Sequence, residues 1–398
     1  MITEKMIYEK AIKTLTSQGK FYINLGLERI SEVMSLLDNP QDKIKCIQVA
    51  GTNGKGSVCT ILESILAESG LKTGLYTSPH IFEYTERIKI NKKEISKEDF
   101  AKYCDEIITI SEKHNIHLTE FEVLTAMMYK YFANNKVDVA IIETGLGGRF
   151  DATNILKTNL CSIITHIDLD HTDRLGKTKD EIAFEKAGII KQNSIVITSE
   201  GYEVIKDTSD AKNSMLILVQ PYCNPIYTEN LSLKGVHQVQ NLSLALEALN
   251  RIFPSVTDET IIKGLKKVSN PCRFQYIKEK NLIIDGAHNP NCFEILRHNL
   301  DHYFPNAKRK YIFGCLNTKD YESMLSYITS DPLLEDIFVY KFNNSNSCTF
   351  EDIAKIYPNI KQLKTPKDII FDSNILTVIC GSFYMINEFM NKSEVCLI

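Results

Sequence analysis

Residues 46–57, Cys-Ile-Gln-Val-Ala-Gly-Thr-Asn-Gly-Lys-Gly-Ser, are the stretch that decides the fold. The first five have the composition of a buried strand, and a glycine-rich turn follows them. From residue 57 to residue 68 apolar side chains recur at helical spacing, and Gly70 ends the helix. A strand, a glycine-rich turn and a helix in this order predict a phosphate-binding loop, where backbone N–H groups and the helix N-terminus hold an anion.

The residue types in this loop suit a nucleotide. Glycines let the backbone approach phosphate closely, Lys55 supplies a positive charge, and the Ser57 hydroxyl can bind Mg²⁺. The string departs from the standard Walker A motif because Gly56 separates the lysine from the serine. A plain glycine-rich turn with an exposed lysine is the alternative, but the strand–loop–helix context favours an ATP site. Its predicted residues are Thr52, Asn53, Gly54, Lys55, Gly56 and Ser57.

Outward from this loop, short β-branched runs alternate with amphipathic helical patterns, which is typical of parallel α/β units. Further strands are predicted at 73–76, 139–142, 160–165 and 195–198. The pattern restarts near residue 268, with strands predicted at 282–285, 311–313, 337–340 and 376–380. We therefore expect an ATP-binding α/β domain over residues 1–268, with a mainly parallel sheet. A smaller Rossmann-like α/β domain should follow over residues 269–398. The stretch 200–225 has weak periodicity and receives no assignment.

Composition excludes several classes of protein. A chain of 398 residues is too long for one ordinary core. With 43% hydrophobic and 24% charged residues it is typical of a soluble globular protein. The net charge of −4, without a run of Lys or Arg, argues against a nucleic-acid partner. The 11 cysteines include no CxxC pair, so we expect buried thiols in a reducing compartment. No apolar stretch is long enough for a bilayer and the first residues lack an apolar leader, so the predicted location is cytoplasmic, without a membrane partner.

Several longer strings occur in one order along the chain. They are 76–80 (YTSPH), 143–154 (ETGLGGRFDATN), 170–171 (DH), 186–189 (KAGI), 237–241 (HQVQN), Arg273 and 285–290 (DGAHNP). Together with the glycine-rich loop they resemble the Mur ligase superfamily, in particular its folate branch, the bifunctional dihydrofolate synthase/folylpolyglutamate synthases. The resemblance runs from about Leu25 to Tyr384, nearly the whole chain. It implies a P-loop-type central domain, ATP and Mg²⁺ as cofactors, and a monomer.

The resemblance also implies a metal site at Ser57, Ser78, Glu143 and His171. Glu143 ends an apolar strand, where a carboxylate is costly unless a cation accompanies it. His171 lies beside Asp168 and Asp170, which favours a cation site over a structural histidine, although these aspartates have helix capping as an alternative role. Magnesium prefers oxygen ligands, and one imidazole among them is tolerable.

Lys186 falls in a helical pattern and by local sequence alone would be a surface lysine. The resemblance implies that it is catalytic and carbamylated, which requires a neutral amine that takes up CO₂.

In the second domain the resemblance assigns Arg273 and Asp285 to ATP and makes Arg273 and His288 catalytic, while Asn241 matches a residue near the adenine. The guanidinium of an arginine can neutralise phosphate bidentately. The family usually has glycine before this arginine, where this chain has Cys272, so the loop is expected to bend differently. The string 314–320 (GCLNTKD) resembles a further motif of the family, with Thr318 where an aspartate is common.

The implied reaction phosphorylates a substrate carboxylate with ATP, and the amine of L-glutamate then attacks the acyl phosphate. Two domains would exclude water from this intermediate. The implied substrates are dihydropteroate and tetrahydrofolate species. The residues expected at the pterin are Asn24, Leu25, Thr119, Glu120, Phe121, Glu122, Asp151, Ala152 and Thr153. Phe121 would stack on the pterin and Asp151 would accept hydrogen bonds from its amino edge. By local sequence alone, a core position for Phe121 is an equal alternative.

Three alternatives remain at this point, and a fourth, the Mur peptide ligases, is not expected. A monofunctional folylpolyglutamate synthase would lack the dihydropteroate reaction. Mur peptide ligases carry an additional N-terminal domain. Only about 45 residues precede the loop here, which are too few to form that domain. A P-loop NTPase switch would need neither Lys186 nor the DGAHNP string. A carboxylate kinase would form no amide.

Overall fold

The computed structural model describes residues 4–18, 26–221 and 224–393. The chain forms two compact units. The first comprises Met1–Ser232 and Val239–Val268, and the second comprises Leu233–Gln238 and Ser269–Ile398.

The first unit is built on an eight-stranded sheet with the order β4-β3-β2-β5-β1-β6-β7-β8. All neighbouring strands are parallel except β2–β3 and β3–β4. The strands are β1 Cys46–Ala50, β2 Thr73–Tyr76, β3 Ile88–Ile90, β4 Lys93–Glu94, β5 Val139–Glu143, β6 Cys161–Ile164, β7 Ile195–Thr198 and β8 Met215–Leu218. The helices are α1 Glu4–Ser17, α2 Glu28–Leu36, α3 Lys55–Glu68, α4 Lys97–Lys113, α5 Glu120–Asn134, α6 Lys179–Ala187, α7 Glu203–Ala211, α8 Pro225–Thr228, α9 Gln238–Ile252 and α10 Asp258–Lys266.

The second unit has a six-stranded sheet with the order β13-β12-β11-β14-β10-β9, antiparallel only between β9 and β10. Its strands are β9 Gln275–Ile277, β10 Leu282–Ile284, β11 Lys308–Phe313, β12 Leu334–Tyr340, β13 Lys361–Leu363 and β14 Ile375–Cys380. Its helices are α11 Pro290–Tyr303, α12 Tyr321–Thr329, α13 Phe350–Ala354 and α14 Phe383–Ser393. The two mainly parallel sheets confirm the predicted α/β fold class.

Capping residues fix where the helices near the site begin. Thr119 caps α5 in a capping box with Glu122, and Thr178 caps α6 in the same way with Glu181. In the second unit the Asn289 side chain accepts the N–H of Cys292 at the start of α11. These sequence signals set which residues of each helix lie at the carboxyl edge of the sheet, where α/β proteins bind ligands.

Apolar clusters cover both faces of the first sheet. On one face the residues of α1, α2, α4 and α5 surround Tyr76 and Ile142. On the other, α6 and α7 pack on Ile164 and Val196. The central strand β1 is buried at all five positions. The loops at the ends of β1, β2, β5 and β6 therefore project from a rigid support.

Candidate active site

The glycine-rich loop after β1 needs glycine at two positions. A Cβ at Gly51 would lie 1.8 Å from Oγ1 of Thr165, and one at Gly54 would lie 2.4 Å from Oδ1 of Asn241. Gly54 also has a φ of +95°, which disfavours any other residue. The predicted ATP residue Asn241 thus lies directly against the phosphate loop.

Hydrogen bonds fasten this loop to the segment after β6. The backbone N–H groups of Thr52 and Asn53 both donate to the carbonyl oxygen of His166, at 2.8 and 3.3 Å. Oγ1 of Thr52 donates to the Asp168 carbonyl at 3.0 Å, and Oγ1 of Thr165 donates to the Asn53 carbonyl at 2.8 Å. These hydrogen bonds fasten the loop on both sides of Asn53 to residues 165–168.

The charge of the loop comes from Lys55, the first residue of α3. Its Nζ donates to the carbonyl oxygens of Gly51 and Thr52, at 3.0 and 3.1 Å. Because α3 begins here, the N–H groups of its first turn have no partner within the helix. They present a positive end to an anion, with Ser57 buried in the same turn.

Two of the predicted metal ligands are in contact. Glu143, the last residue of β5, is 4% exposed, and its Oε2 accepts the backbone N–H of Ser78 at 3.1 Å. Burial raises the pKa of the Cys59 thiol on α3, the Glu143 carboxylate raises this pKa further, and Lys55 lowers it. The Glu143 carboxylate and the Lys55 ammonium therefore both lie near enough to the Cys59 thiol to affect its pKa.

His171 lies in the loop after β6. Its φ is +49° and its Nε2 is 3.9 Å from Oδ1 of Asp170. Across the described ranges no three His, Cys, Asp or Glu side chains form a group that could hold a metal ion. A magnesium site here would have to draw on hydroxyl oxygens and on the nucleotide besides Glu143 and His171, and the hard oxygen donors present fit that ion.

Lys186 is not a surface lysine. It is 3% exposed at the end of α6. Burial lowers the pKa of its amine to about 7 and the Lys55 charge contributes to this, whereas Asp170 and Asp151 oppose it. A substantial fraction of this amine is therefore uncharged near neutral pH.

The loop after β5 is clamped to α6. Gly148 and Gly188 allow the close approach, since a Cβ at either glycine would lie within 3 Å of the segment that faces it. The Asn154 amide donates to the carbonyl oxygens of Arg149 and Gly188, at 3.1 and 3.0 Å. Nζ of Lys191 donates to Oδ1 of Asn154 at 2.7 Å. The string 143–154 thus positions both Glu143 and the helix end that carries Lys186.

Some of the predicted pterin residues have structural roles. Thr119 and Glu122 form the capping box of α5, and Glu122 also pairs with Arg29 at 3.1 Å. Oδ1 of Asp151 accepts the N–H and the hydroxyl of Thr153, at 3.0 and 2.6 Å, and Oδ2 accepts the Leu146 N–H at 2.8 Å. Ala152 is buried beside them. Asn24 and Leu25 lie outside the described residues.

Glu120 and Phe121 have the character of ligand-binding side chains. Oε1 of Glu120 accepts the hydroxyl of Tyr84 at 3.0 Å, while its Oε2 is buried without a hydrogen-bond partner among the described residues. Phe121 is half-buried, its ring lies against Gly145, and its centroid is 6.1 Å from that of Tyr76. Sequence reasoning missed Tyr84, because nothing near it in the chain indicates its contact with Glu120.

The second unit holds Asp285 and His288 in the loop after β10. The Asp285 carboxylate accepts the N–H groups of Phe274 and Ala287, each at 2.8 Å. Burial raises its pKa to about 6, and the Arg273 charge opposes this rise. The His288 Nδ1 is 2.9 Å from the Gly286 carbonyl, to which it donates as the protonated nitrogen.

Arg273 lies over an aromatic ring, with its guanidinium 4.7 Å from the centroid of Phe383. Before it, Cys272 has a φ of +57°, a left-handed conformation that glycine adopts without strain. The cysteine therefore keeps a backbone conformation suited to glycine.

No protein-family model matches the chain. The dihydrofolate synthase/folylpolyglutamate synthase of Bacillus subtilis is 32% identical over 97% of this chain and 99% of its own length. A solved structure described as E. coli FolC in complex with DHPP and ADP superposes with a TM-score of 0.88 at 31% identity, covering 96% of this chain and 97% of that one. The Yersinia pestis bifunctional folylpolyglutamate synthase/dihydrofolate synthase, complexed with AMPPNP and Mn ion, gives a TM-score of 0.85 at 30% identity, covering 96% and 97%.

Together with the α/β fold and the phosphate loop, these similarities define an ATP-dependent ligase. Within that class, the chain belongs to the dihydrofolate synthase/folylpolyglutamate synthase family. Within the described ranges no helix has both the length and the apolar character needed to cross a membrane.

Proposed function

We propose that this chain is an ATP- and Mg²⁺-dependent ligase that joins a carboxylate to the amine of L-glutamate through an acyl phosphate. The carboxylates are that of dihydropteroate and the γ-carboxylate of folates. One observation carries the proposal. The chain is similar over nearly its full length to the dihydrofolate synthase/folylpolyglutamate synthase of Bacillus subtilis, and the charge of its loop residue Lys55 acts both on buried Lys186 and on the Cys59 thiol that Glu143 also affects.

In this proposal the phosphate loop binds the ATP phosphates through the first turn of α3. Lys55 neutralises charge on the transferred phosphoryl group, and fixed donors of this kind need no reorganisation during the reaction. Asn241 contacts the nucleotide from its position against Gly54. Ser57, Ser78, Glu143 and His171 would hold Mg²⁺, which supplies charge neutralisation for the phosphoryl group when bound.

Lys186 is proposed to carry a carbamate. Only a neutral amine attacks CO₂, and a pKa near 7 provides that form at physiological pH. The product would be an anion beside Lys55, so it would replace the repulsion between two lysines with an attraction. Arg273, Asp285 and His288 keep their predicted roles toward ATP as part of the proposal.

The pterin assignment rests on two side chains. The unpartnered buried oxygen of Glu120 needs a donor, and the amino edge of a pterin supplies one. The half-buried ring of Phe121 offers a flat apolar face beside it. We further propose a monomer in the cytoplasm, where buried thiols such as Cys46, Cys59 and Cys161 stay reduced.

Product analysis by mass spectrometry tests the function. Dihydropteroate and tetrahydrofolate are each offered with ATP, Mg²⁺ and glutamate, and a glutamylated product is expected from both. Product from tetrahydrofolate alone would identify a monofunctional folylpolyglutamate synthase. ADP release without an amide product, whether or not glutamate is present, would identify an NTPase or a carboxylate kinase and overturn the proposal.

A further inference from the structure

Two cysteines of the second unit lie side by side although 33 residues separate them in the chain. Sγ of Cys315 is 3.5 Å from Sγ of Cys348. Both are thiols, and they are 0% and 2% exposed. The proposed ligase reaction uses neither of them.

The backbone around the pair has the geometry of a cross-strand disulfide site. Leu316 and Ser347 form an isolated antiparallel bridge, and the N–H of Cys348 donates to the Cys315 carbonyl at 2.9 Å. The two cysteines are therefore directly opposite residues on the two segments that this bridge joins. Such residues have Cα atoms about 4.5–5.5 Å apart, inside the range of about 4.4–6.8 Å found for disulfides. From a sulfur–sulfur distance of 3.5 Å, we therefore expect side-chain rotation to bring the two sulfurs into bonding distance.

The two thiols differ in reactivity. The Cys315 S–H donates to the sulfur of Cys348, which lowers the pKa of Cys348 and raises that of Cys315. Cys348 is consequently the thiol that ionises first, and the thiolate is the attacking species in disulfide exchange.

Access to the pair comes from two exposed loops. Cys315 is followed by the exposed residues Asn317 and Thr318, and Cys348 follows the exposed residues Ser345 and Asn346. Each cysteine is therefore only two residues from an exposed part of the chain, and local opening there would give an oxidant access to the sulfurs.

We propose that Cys315 and Cys348 are a redox modification site that closes to a reversible disulfide on reaction with a low-molecular-weight disulfide such as oxidised glutathione. The Cys348 thiolate attacks the oxidant, forms a mixed disulfide and releases one thiolate. The Cys315 sulfur then attacks Cys348, a second thiolate leaves, and the Cys315 proton goes to that leaving group. One small disulfide is reduced to two thiols for each protein disulfide formed.

The cross-link would close a loop that contains α12 and β12, and one of its ends, Cys315, lies within the predicted family motif at 314–320. A disulfide around a loop of this length restricts the unfolded chain, so the oxidised second unit should be harder to unfold. This inference does not depend on the proposed ligase activity.

Tryptic mass mapping of the full chain tests the proposal. The protein is incubated with oxidised glutathione, alkylated and digested. Peptides 311–319 and 342–355 are expected to appear cross-linked, and dithiothreitol should separate them. Cys292 on α11 is the internal control, since it is partly exposed and should carry only a glutathione adduct. Adduct at Cys292 with no cross-link between the two peptides would overturn the proposal.

Two single variants test the order of attack. Cys315→Ser should trap glutathione on Cys348, whereas Cys348→Ser should leave Cys315 unmodified. Adducts of equal yield in both variants would refute Cys348 as the attacking thiol. The wild-type cross-link decides the main proposal even if a variant folds poorly.

Thermal unfolding provides the second readout. Oxidation should raise the unfolding midpoint of the wild type by several degrees, and reduction should reverse this. Cys292→Ser should show the same rise, and Cys315→Ser none. A cross-link without a rise in midpoint would contradict the stabilising role.

Discussion

Arg149 and Glu185 are joined twice. The Arg149 backbone N–H donates to the Glu185 carbonyl at 2.7 Å, and its guanidinium donates to the Glu185 carboxylate at 2.7 Å. The same guanidinium lies 4.4 Å from the ring centroid of Phe150 and 4.8 Å from that of Phe184. This pair connects the loop that begins at Glu143 with the helix that carries Lys186.

We expect Arg149→Lys to lower the free energy of unfolding by about 1 kcal/mol, because an ammonium lacks the broad, flat surface with which the guanidinium contacts the two rings. The ion pair alone is partly exposed and contributes little. Urea denaturation measures the change. The matched control is Arg251→Lys, which alters an exposed pair with Glu247 on α9 and should stay within about 0.5 kcal/mol. Equal losses in the two variants would refute the stacking argument.

Lys55→Ala should reduce ligase turnover by about a few hundredfold, the effect of removing one charge contact to a transferred group. The fold should survive, since the lost hydrogen bonds involve only the carbonyls of Gly51 and Thr52. Steady-state kinetics with saturating ATP measures turnover. Lys267→Ala removes an exposed pair with Glu68 and serves as the control, with unchanged turnover expected. Turnover of Lys55→Ala within a few-fold of wild type would exclude this lysine from the mechanism.

The sequence predicted the buried centre of the first sheet well. Strands expected at 46–50 and 73–76 match β1 and β2, both of which are buried at every position. The stretch 200–225 could not be assigned for the opposite reason. It contains the edge strand β8, where Met215 and Leu218 are 58% and 53% exposed, so its apolar pattern does not follow burial.

The sequence proposes the residues of the site but not their arrangement, and their roles stay a prediction. Motif resemblance located Lys55, Glu143 and Lys186. The contact of Asn241 with Gly54 joins distant parts of the chain, and no local pattern indicates it. The low pKa of Lys186 also depends on contacts between distant parts of the chain. Its helical pattern alone predicts a surface lysine, whereas packing against the loop after β5 buries it.

Lys186 should make ligase activity depend on pH. Below its pKa of about 7 the amine is protonated and cannot take up CO₂, so activity should fall as the pH drops through this value. Added bicarbonate should restore part of the loss by driving carbamate formation. Lys186→Gln should be inactive throughout, and Lys206→Gln, on the exposed surface of α7, should keep the wild-type profile. Activity of Lys186→Gln near that of wild type would refute the carbamate.

The buried Lys186 amine should also lower the free energy of unfolding in acid. The pKa of the Lys186 amine is about 7 in the folded chain and 10.5 in the unfolded chain. At pH values between these two, the unfolded chain therefore binds more protons than the folded chain. The loss of stability is therefore largest below about pH 7, and it disappears as the pH rises toward 10.5, the pKa of the unfolded chain's lysine. Lys186→Met should therefore stabilise the protein by about a few kcal/mol near pH 6, and by less near pH 9. Urea denaturation at both pH values checks the sign, and a larger gain at the higher pH would contradict it.

Asp151 tests which reactions the enzyme performs. Its carboxylate accepts three hydrogen bonds from Leu146 and Thr153, and burial raises its pKa in spite of them. Asp151→Ala should therefore destabilise the loop, and the informative quantity is a ratio within one variant. If Asp151 also serves the pterin of dihydropteroate, kcat/KM for dihydropteroate should fall about five- to a hundredfold more than kcat/KM for tetrahydrofolate. General loss of folded protein cancels in this ratio.

Gln48→Leu is the matched control, because Gln48 donates to Thr153 from inside β1. This variant should perturb the same hydrogen-bond network without changing the ratio. Equal losses on both substrates in Asp151→Ala would leave Asp151 with a structural role, and a ratio that moves equally in Gln48→Leu would assign the effect to the loop rather than to the carboxylate.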